Sequence, residues 1–171
     1  MGLLLAVLGI AAPVSAHDHR LPKSVLRISD ERQPGHPVHS TWLKRVDEEY
    51  CDVSDRFALP IFPSPVRARA GEIASIQLKK PAPPREFSLR AWFEVNGQGH
   101  PEGDPIPIAA ILSPVSGMAQ TGSWQLHFVP PPDSGHLYLL AEVNWADEEG
   151  CSPQPDLGSQ YAAWTFHLRV D

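Results

Sequence analysis

The sequence predicts an all-β fold in which two antiparallel sheets pack face to face. Apolar and polar residues alternate along several short segments, which is the pattern of strands with one buried and one solvated face. The 19 prolines, many of them at segment edges, fit short strands joined by turns better than long helices. Half-buried sheets cover their apolar faces most simply by stacking as a sandwich.

The first half of the chain contains two clear strands. Residues 24–29 place Leu26 and Ile28 on one side, and residues 72–80 place Ala74, Ile76 and Leu78 on one side. Between residues 30 and 65 the alternation fails. There, residues 36–46 read as a strand or a short helix, and residues 59–66 read as an extended connector fixed by prolines.

The second half alternates more regularly. Residues 85–95 form a predicted strand that ends at the turn signal Asn96-Gly97, and residues 106–112 read as an edge strand because they contain Pro107. Three further strands are predicted at residues 123–129, 136–145 and 161–170. The predicted inward residues of these strands are Phe87, Leu89, Ala91, Phe93, Val95, Trp124, Leu126, Phe128, Leu137, Leu139, Ala141, Val143, Trp145, Ala162, Trp164, Phe166, Leu168 and Val170.

About seven to eight strands of this kind resemble an immunoglobulin-like or fibronectin-III-like antiparallel β-sandwich in architecture. The resemblance assigns the sandwich domain to residues 65–171 and leaves residues 17–64 as an N-terminal extension with one strand and irregular loops. The cysteine spacing differs from that of the immunoglobulin inter-sheet bridge, because Cys51 precedes the regular strands.

Residues 1–16 read as a secretory signal peptide. A short apolar run, residues 3–12, is followed by Pro13 and by small residues at a cleavage site between Ala16 and His17. A signal peptide usually has Lys or Arg before its apolar run, and this chain has neither there. The alternative to a signal peptide is that the run forms an apolar N-terminal strand or helix of the fold. Cleavage would place the protein outside the cytoplasm, either secreted or in an extracytoplasmic compartment. No later run is long enough to span a membrane.

The net charge of the chain argues against one class of partner, and its two cysteines predict a disulfide. The net charge of -6 and the lack of a Lys/Arg-dense run argue against nucleic acid. An even number of cysteines in an exported chain usually forms bridges, so Cys51 and Cys151 are predicted to form a disulfide. The alternative of two thiols in a metal site is weak, because neither has a second Cys or a His at ligand spacing.

The stretch His17-Asp18-His19 is a candidate copper(II) site, provided that cleavage leaves His17 first. The free amine, two backbone amides and the imidazole of His19 could supply four nitrogens in a plane, which suits Cu(II). A terminal His also resembles the mature start of exported copper-binding sandwiches of the copper-resistance type and of copper-dependent polysaccharide oxygenases. That resemblance implies a chelate by the amine and side chain of His17 together with a further His. The alternative is a polar tail.

Two acidic stretches precede the cysteines. If Cys51 and Cys151 are bonded, these stretches meet at one end of the molecule and could form an acidic rim that attracts Ca²⁺ or a basic partner. Their spacing matches no calcium loop, and a solvated rim is the simpler interpretation. The residues are Asp47, Glu48, Glu49, Asp147, Glu148 and Glu149.

The sequence contains no recognisable catalytic motif, such as a nucleophile elbow or a phosphate loop. Three aromatic residues, Trp92, Tyr138 and Tyr161, are predicted on polar strand faces near charged residues, where they could form a binding patch. The first hypothesis is therefore an exported, non-catalytic interaction module with a protein or carbohydrate partner, bound by end loops such as residues 146–160. The second is an exported copper-binding protein.

Overall fold

The computed structural model describes residues 21–45, 51–80, 82–115, 122–132, 134–146 and 160–171, with the side chains of residues 43–45 and 51–54 left aside. In these ranges there are twelve strands and no helix. They are β1 (Lys23–Ile28), β2 (Glu31–Pro34), β3 (His36–Arg45), β4 (Cys51–Phe57), β5 (Val66–Ala68), β6 (Ala74–Lys79), β7 (Pro84–Trp92), β8 (Ile106–Pro107), β9 (Ala110–Pro114), β10 (Trp124–Phe128), β11 (Gly135–Trp145) and β12 (Tyr161–Val170).

The strands form two sheets. The first sheet has the order β2-β1-β6-β10-β9, and all its neighbours are antiparallel. The second sheet has the order β4-β3-β12-β11-β7-β8, also antiparallel, and β5 adds to it by pairing in parallel with the end of β12. The predicted all-β sandwich is confirmed at this level.

The core lies between the two sheets, where the predicted inward faces meet. Leu26, Ile76 and Leu126 of the first sheet are fully buried, as are Leu139 and Phe166 of the second. The inward residues of β11 and β12 were predicted correctly, from Leu137 to Trp145 and from Ala162 to Val170. Phe93 is an exception, because β7 ends at Trp92 and leaves Phe93 exposed.

The region before Pro65 differs from its prediction. Its described part contains four strands, β1 to β4, instead of one, and they contribute to both sheets. Residues 36–45 are a strand and not a helix, because they pair with both β12 and β4. The sequence alternation failed here because the buried face of β3 carries the polar Ser40 between Val38 and Trp42. The total of twelve strands exceeds the predicted seven or eight because β2, β4 and β5 were not predicted and because residues 106–112 form parts of two strands.

The predicted edge strand at residues 106–112 is two strands in different sheets. β8 pairs with β7 at the edge of the second sheet, whereas β9 pairs with β10 at the edge of the first. A backbone hydrogen bond of 2.8 Å from Ile108 N to Leu89 O ends the first pairing before the chain crosses over.

Gln33 joins the two sheets at a gap in the hydrogen bonding of β12. One edge of β12 pairs with β3 up to Thr165 and with β5 from Leu168 onward. Between them, His167 N donates to Gln33 Oε1 at 2.8 Å, and Gln33 Nε2 donates to His167 O at 3.1 Å. The side-chain amide therefore replaces a missing strand residue, which explains why Gln33 is buried.

Candidate functional site: the outer face of the second sheet

The outer face of the second sheet carries a concentration of aromatic and charged side chains. Cross-strand register places Tyr138 beside Trp92 on one side and beside His167 on the other. Further along the same strands, Glu142 lies opposite Ser88, and Ala163 lies opposite His39. The alternation of side chains along neighbouring strands thus places all of these residues on one surface.

A proline-rich connector, residues 58–65, lies across this face, and we call it the strap. Three side chains hold its backbone: Thr165 Oγ1 donates to Ile61 O at 2.5 Å, His167 Nδ1 to Pro63 O at 3.1 Å, and Gln33 Nε2 to Ser64 O at 2.5 Å. The strap makes His167 and Thr165 buried, although their strand face was expected to be solvated. The extended, proline-fixed connector was itself predicted correctly.

A pocket of about 270 Å³ opens between the strap and the sheet. Its walls are mostly apolar, and aromatic rings come from both the sheet and the strap side. The lining residues are Val38, His39, Phe57, Ala58, Pro60, Phe62, Trp92, Pro101, Leu140, Glu142, Tyr161, Ala163 and Thr165. A concave apolar site with a few converging polar groups is the usual form of a small-ligand site.

Glu142 is the centre of the polar network beside this pocket. Its Oε2 accepts hydrogen bonds from Ser88 Oγ at 2.9 Å and from Arg90 Nη2 at 2.5 Å, and its Oε1 accepts one from Tyr161 OH at 2.8 Å. Burial raises the pKa of Glu142, but the hydrogen bonds and the charge of Arg90 outweigh burial, so the pKa lies below its usual value. Glu142 is therefore a carboxylate at neutral pH.

Tyr161 is fixed as the donor in this network. Burial and the hydrogen bond to Glu142 raise the pKa of the Tyr161 hydroxyl well above its usual value. Its ring packs edge-on against the His39 ring, with centroids 5.0 Å apart. The phenol thus keeps its proton while its ring forms part of the pocket wall.

His39 lines both this pocket and a second one. His39 Nε2 lies 3.2 Å from Asp55 Oδ1, which also accepts a hydrogen bond from Thr41 Oγ1 at 3.2 Å. The second pocket, about 460 Å³, is lined by Leu21, Pro37, Val38, His39, Ser40, Asp55, Arg56, Phe57 and Ala58. Leu21 is the first described residue, so the chain enters the described fold beside His39.

Two histidines form a stacked group at the other side of the strap. His136 Nδ1 lies 2.9 Å from His167 Nε2, and the ring of His167 stacks on Tyr138 with centroids 4.3 Å apart. Since Pro63 O can only accept, His167 carries its proton on Nδ1, and its Nε2 accepts from His136. Burial lowers the pKa of His167, and the neighbouring His136 lowers it further.

The metal, acidic and cysteine residues predicted as sites from the sequence cannot be placed relative to this surface. His17, His19, Asp47, Glu48, Glu49, Asp147, Glu148, Glu149 and Cys151 lie outside the described residues, and Cys51 begins β4 without a described side chain. The copper site, the acidic rim and the disulfide therefore stay predictions. In the described ranges, no group of three or more His, Cys, Asp or Glu could hold a metal ion.

The candidate pocket coincides with the aromatic patch predicted from the sequence. Trp92 and Tyr161 line the pocket, and Tyr138 packs against Phe62 of the strap with centroids 5.0 Å apart. Sequence reasoning missed the strap as a pocket wall and the contact between His136 and His167. The only signal for the strap was its three prolines, which indicate an extended segment but not where it lies.

Comparisons with known proteins give no relative from which to assign this site. Neither family models, nor curated proteins, nor solved structures contain a match to the chain. Among the residues that the structure describes, there is also no helix of the length and hydropathy needed to cross a membrane.

Proposed function

We propose that the protein is an exported, non-catalytic binding module, and that its binding site is the pocket between the strap and the second sheet. The observation that carries the proposal is the lining of that pocket, which combines several aromatic side chains with the Glu142 carboxylate. Such a pocket recognises a small ligand, or one group of a larger carbohydrate or protein partner. Phe57 of the lining and its neighbours Leu59 and Ile61 are exposed and extend the apolar surface.

An immunoglobulin-like topology is the finer fold that we propose. In that fold, strands A, B, E and D form one sheet and strands C, F and G form the other. The order β1-β6-β10-β9 beside β12-β11-β7 supports this assignment, with β1 as strand A and β12 as strand G. Strands β2, β3 and β4 would then be an insertion that precedes β5.

The proposed function is tested by ligand-observed NMR with a panel of sugars, aromatic compounds and organic cations. The variants are Trp92→Ala in the pocket and Ile111→Ala, an exposed residue of the first sheet, as the matched control. We expect at least one compound to bind the wild type and the control and to lose about tenfold in affinity in Trp92→Ala, a loss of about 1.4 kcal/mol. A panel without any Trp92-dependent compound would reject the pocket as the site.

Copper(II) binding is the second candidate, because one observation favours it. Leu21 and His39 line the same pocket, so a chain that starts at His17 begins only four residues before that pocket. His39 could then be the further His ligand beside the amine and side chain of His17, with His19 as the alternative donor. The export proposal and this one share a first requirement, which is cleavage between Ala16 and His17.

The copper proposal is tested on protein recovered from an export-competent host. Its intact mass must correspond to a chain that begins at His17. Tight Cu(II) binding should then be lost after addition of one residue before His17. It should also be lost in His39→Ala if His39 is the further ligand, or in His19→Ala if His19 is the donor. Unchanged affinity in all three variants would rule out the terminal site.

A further inference from the structure

We propose that the pocket between the strap and the second sheet takes a quaternary ammonium group, such as the trimethylammonium head of choline. This inference rests on the proposed function and names the chemical class of its ligand. It is drawn from the walls, the charge and the hydrogen bonding of the pocket.

The walls supply the aromatic faces that a large organic cation prefers. Five of the lining side chains are aromatic rings: His39, Phe57, Phe62, Trp92 and Tyr161. Four of them come from strands of the second sheet and Phe62 comes from the strap, so the rings line the pocket from the sheet side and from the strap side. A cation over the face of such rings is attracted by their quadrupole, most strongly over Trp, and methylated ammonium groups are bound by aromatic cages of this kind.

The charge of the pocket does not oppose a cation. Glu142 is a lining residue and a carboxylate, whereas Lys and Arg are missing from the described residues that line the pocket. Arg90 pairs with Glu142 at 2.5 Å from outside the lining and offsets its charge. The described walls therefore carry no net positive charge that would repel a cation, and the aromatic rings supply most of the attraction.

The hydrogen bonds of Glu142 favour a cation that needs no acceptor. Ser88, Arg90 and Tyr161 already donate to its two oxygens and use most of the carboxylate's roughly four lone-pair sites. A primary ammonium would have to leave water and find several acceptors, which the apolar walls do not offer. A quaternary ammonium has no N–H group, so it gains from the charge and the rings without this cost.

The size of the pocket fits such a head group. Its volume of about 270 Å³ is that of about nine water molecules at ~30 Å³ each. A trimethylammonium head with a short chain occupies less than this. The strap can therefore stay in place when the ligand binds.

The decisive experiment compares choline with 3,3-dimethyl-1-butanol, its uncharged isostere, by titration calorimetry on the full mature chain. We expect choline to bind the wild type at least about tenfold more tightly than the isostere. Binding of choline should weaken about tenfold in Trp92→Ala and in Glu142→Gln, and stay unchanged in Ile111→Ala. Because the isostere is tested on the wild type, the charge preference is measured even if a variant fails to fold.

The outcomes separate this inference from the proposed function. Equal affinity for choline and its isostere would overturn the cation site but leave an apolar binding pocket. Binding of another panel compound in the pocket, without binding of choline, would overturn it in the same way. If the wild type binds no compound whose affinity depends on Trp92, both proposals are rejected.

A sedimentation assay distinguishes the two sources of the head group. Phosphatidylcholine vesicles that capture the protein, with release by free choline, would identify a lipid head group as the ligand. Choline binding without capture by these vesicles would identify a free small molecule. Phosphatidylglycerol vesicles are the matched control, and capture by them to the same extent would contradict recognition of the quaternary ammonium.

Discussion

Gln33 links the first sheet to the second through three hydrogen bonds of its side-chain amide. Its amide serves His167 N, His167 O and Ser64 O, and thereby ties β2 of the first sheet to β12 and to the strap. No neighbouring strand can replace it, because β3 and β5 pair with other residues of β12. Buried backbone groups that lose their partner cost about 1–3 kcal/mol each.

We therefore expect Gln33→Ala to lower the free energy of unfolding by roughly 2–4 kcal/mol, measured by urea titration. Gln98→Ala is the matched control, because the Gln98 side chain is exposed in a turn. Its effect should stay within about 0.5 kcal/mol. Equal stability of the two variants would mean that water satisfies the backbone of His167 when the amide is removed.

His167 makes the stability of the fold depend on pH. Its folded pKa is lowered, first by burial and also by His136, so the unfolded chain binds more protons near the usual His pKa of 6.5. Stability must then rise with pH in this range. The contribution of the neutral ring is fully present above pH 6.5 and is lost as pH falls through the lower, folded pKa.

The variant His167→Asn tests this dependence. Asn keeps a donor for Pro63 O but does not titrate. We expect the free energy of unfolding of the wild type to fall between pH 7 and pH 5 and the variant to show a smaller fall, with urea titrations at each pH as the measurement. An identical fall in both proteins would assign the pH dependence to other groups.

At the scale of elements, the chain changes sheets between β2 and β3 through one residue. Gly35 N donates to Ser24 O at 2.9 Å, so the crossing passes close to β1. A Cβ on Gly35 would lie 2.1 Å from Ser24 Oγ and 2.8 Å from Phe166 Cζ. Both neighbours are buried and cannot move into solvent.

We expect Gly35→Ala to destabilise the protein by about 1–3 kcal/mol, as overpacked core sites do. Gly97→Ala is the control, because nothing lies within 4 Å of a Cβ placed there. Thermal unfolding of both variants is the measurement. If Gly35→Ala were as stable as Gly97→Ala, the distance between the backbone at Gly35 and the ring of Phe166 would be longer than the structure shows.

The elements that the sequence predicts well are those with a simple pattern of burial. β11 and β12 bury every second side chain against the core, and their alternation is visible in the sequence. The other face of β12 is buried as well, because the strap lies over it. Ala163, Thr165 and His167 lie on that face and are buried, although the sequence predicts a solvated face there. The pocket could not be predicted for the same reason, since the contacts between the strap and β12 join residues about a hundred positions apart.

At the scale of the whole molecule, one end of the second sheet collects the chain segments that contain both cysteines. Arg45 pairs with Cys51, and Tyr161 pairs with both Thr41 and Asn144. The connections 46–50 and 146–160 therefore leave the sheet at the same end. This topology is what a bridge between Cys51 and Cys151 requires, and it would also bring the predicted acidic rim together.

A half-buried cation lies at this end. Lys80 Nζ lies 4.2 Å from the ring centroid of Trp42 and 5.1 Å from that of Trp145, and it donates a hydrogen bond to Gln160. Trp42 and Trp145 pack edge to face, with centroids 5.8 Å apart. The described part of this end is thus packed as far as Trp145 and Gln160, the residues next to the second connection.

We expect Cys51→Ser and Cys151→Ser to lower the melting temperature to the same extent, and only under oxidising conditions. A bridge closing a loop of about 100 residues contributes up to about 4.7 kcal/mol through the unfolded chain, which corresponds to a shift on the order of 10 °C. The non-reduced mass of the wild type should also be lower by two hydrogens. In reductant, the wild type and both variants should melt together, because the unfolded chain then lacks the constraint. If a variant loses as much stability in reductant as under oxidising conditions, the cysteine contributes through packing and not through a bridge. If the mass of the wild type is that of the fully reduced chain, the two segments leave the same end of the sheet without being joined.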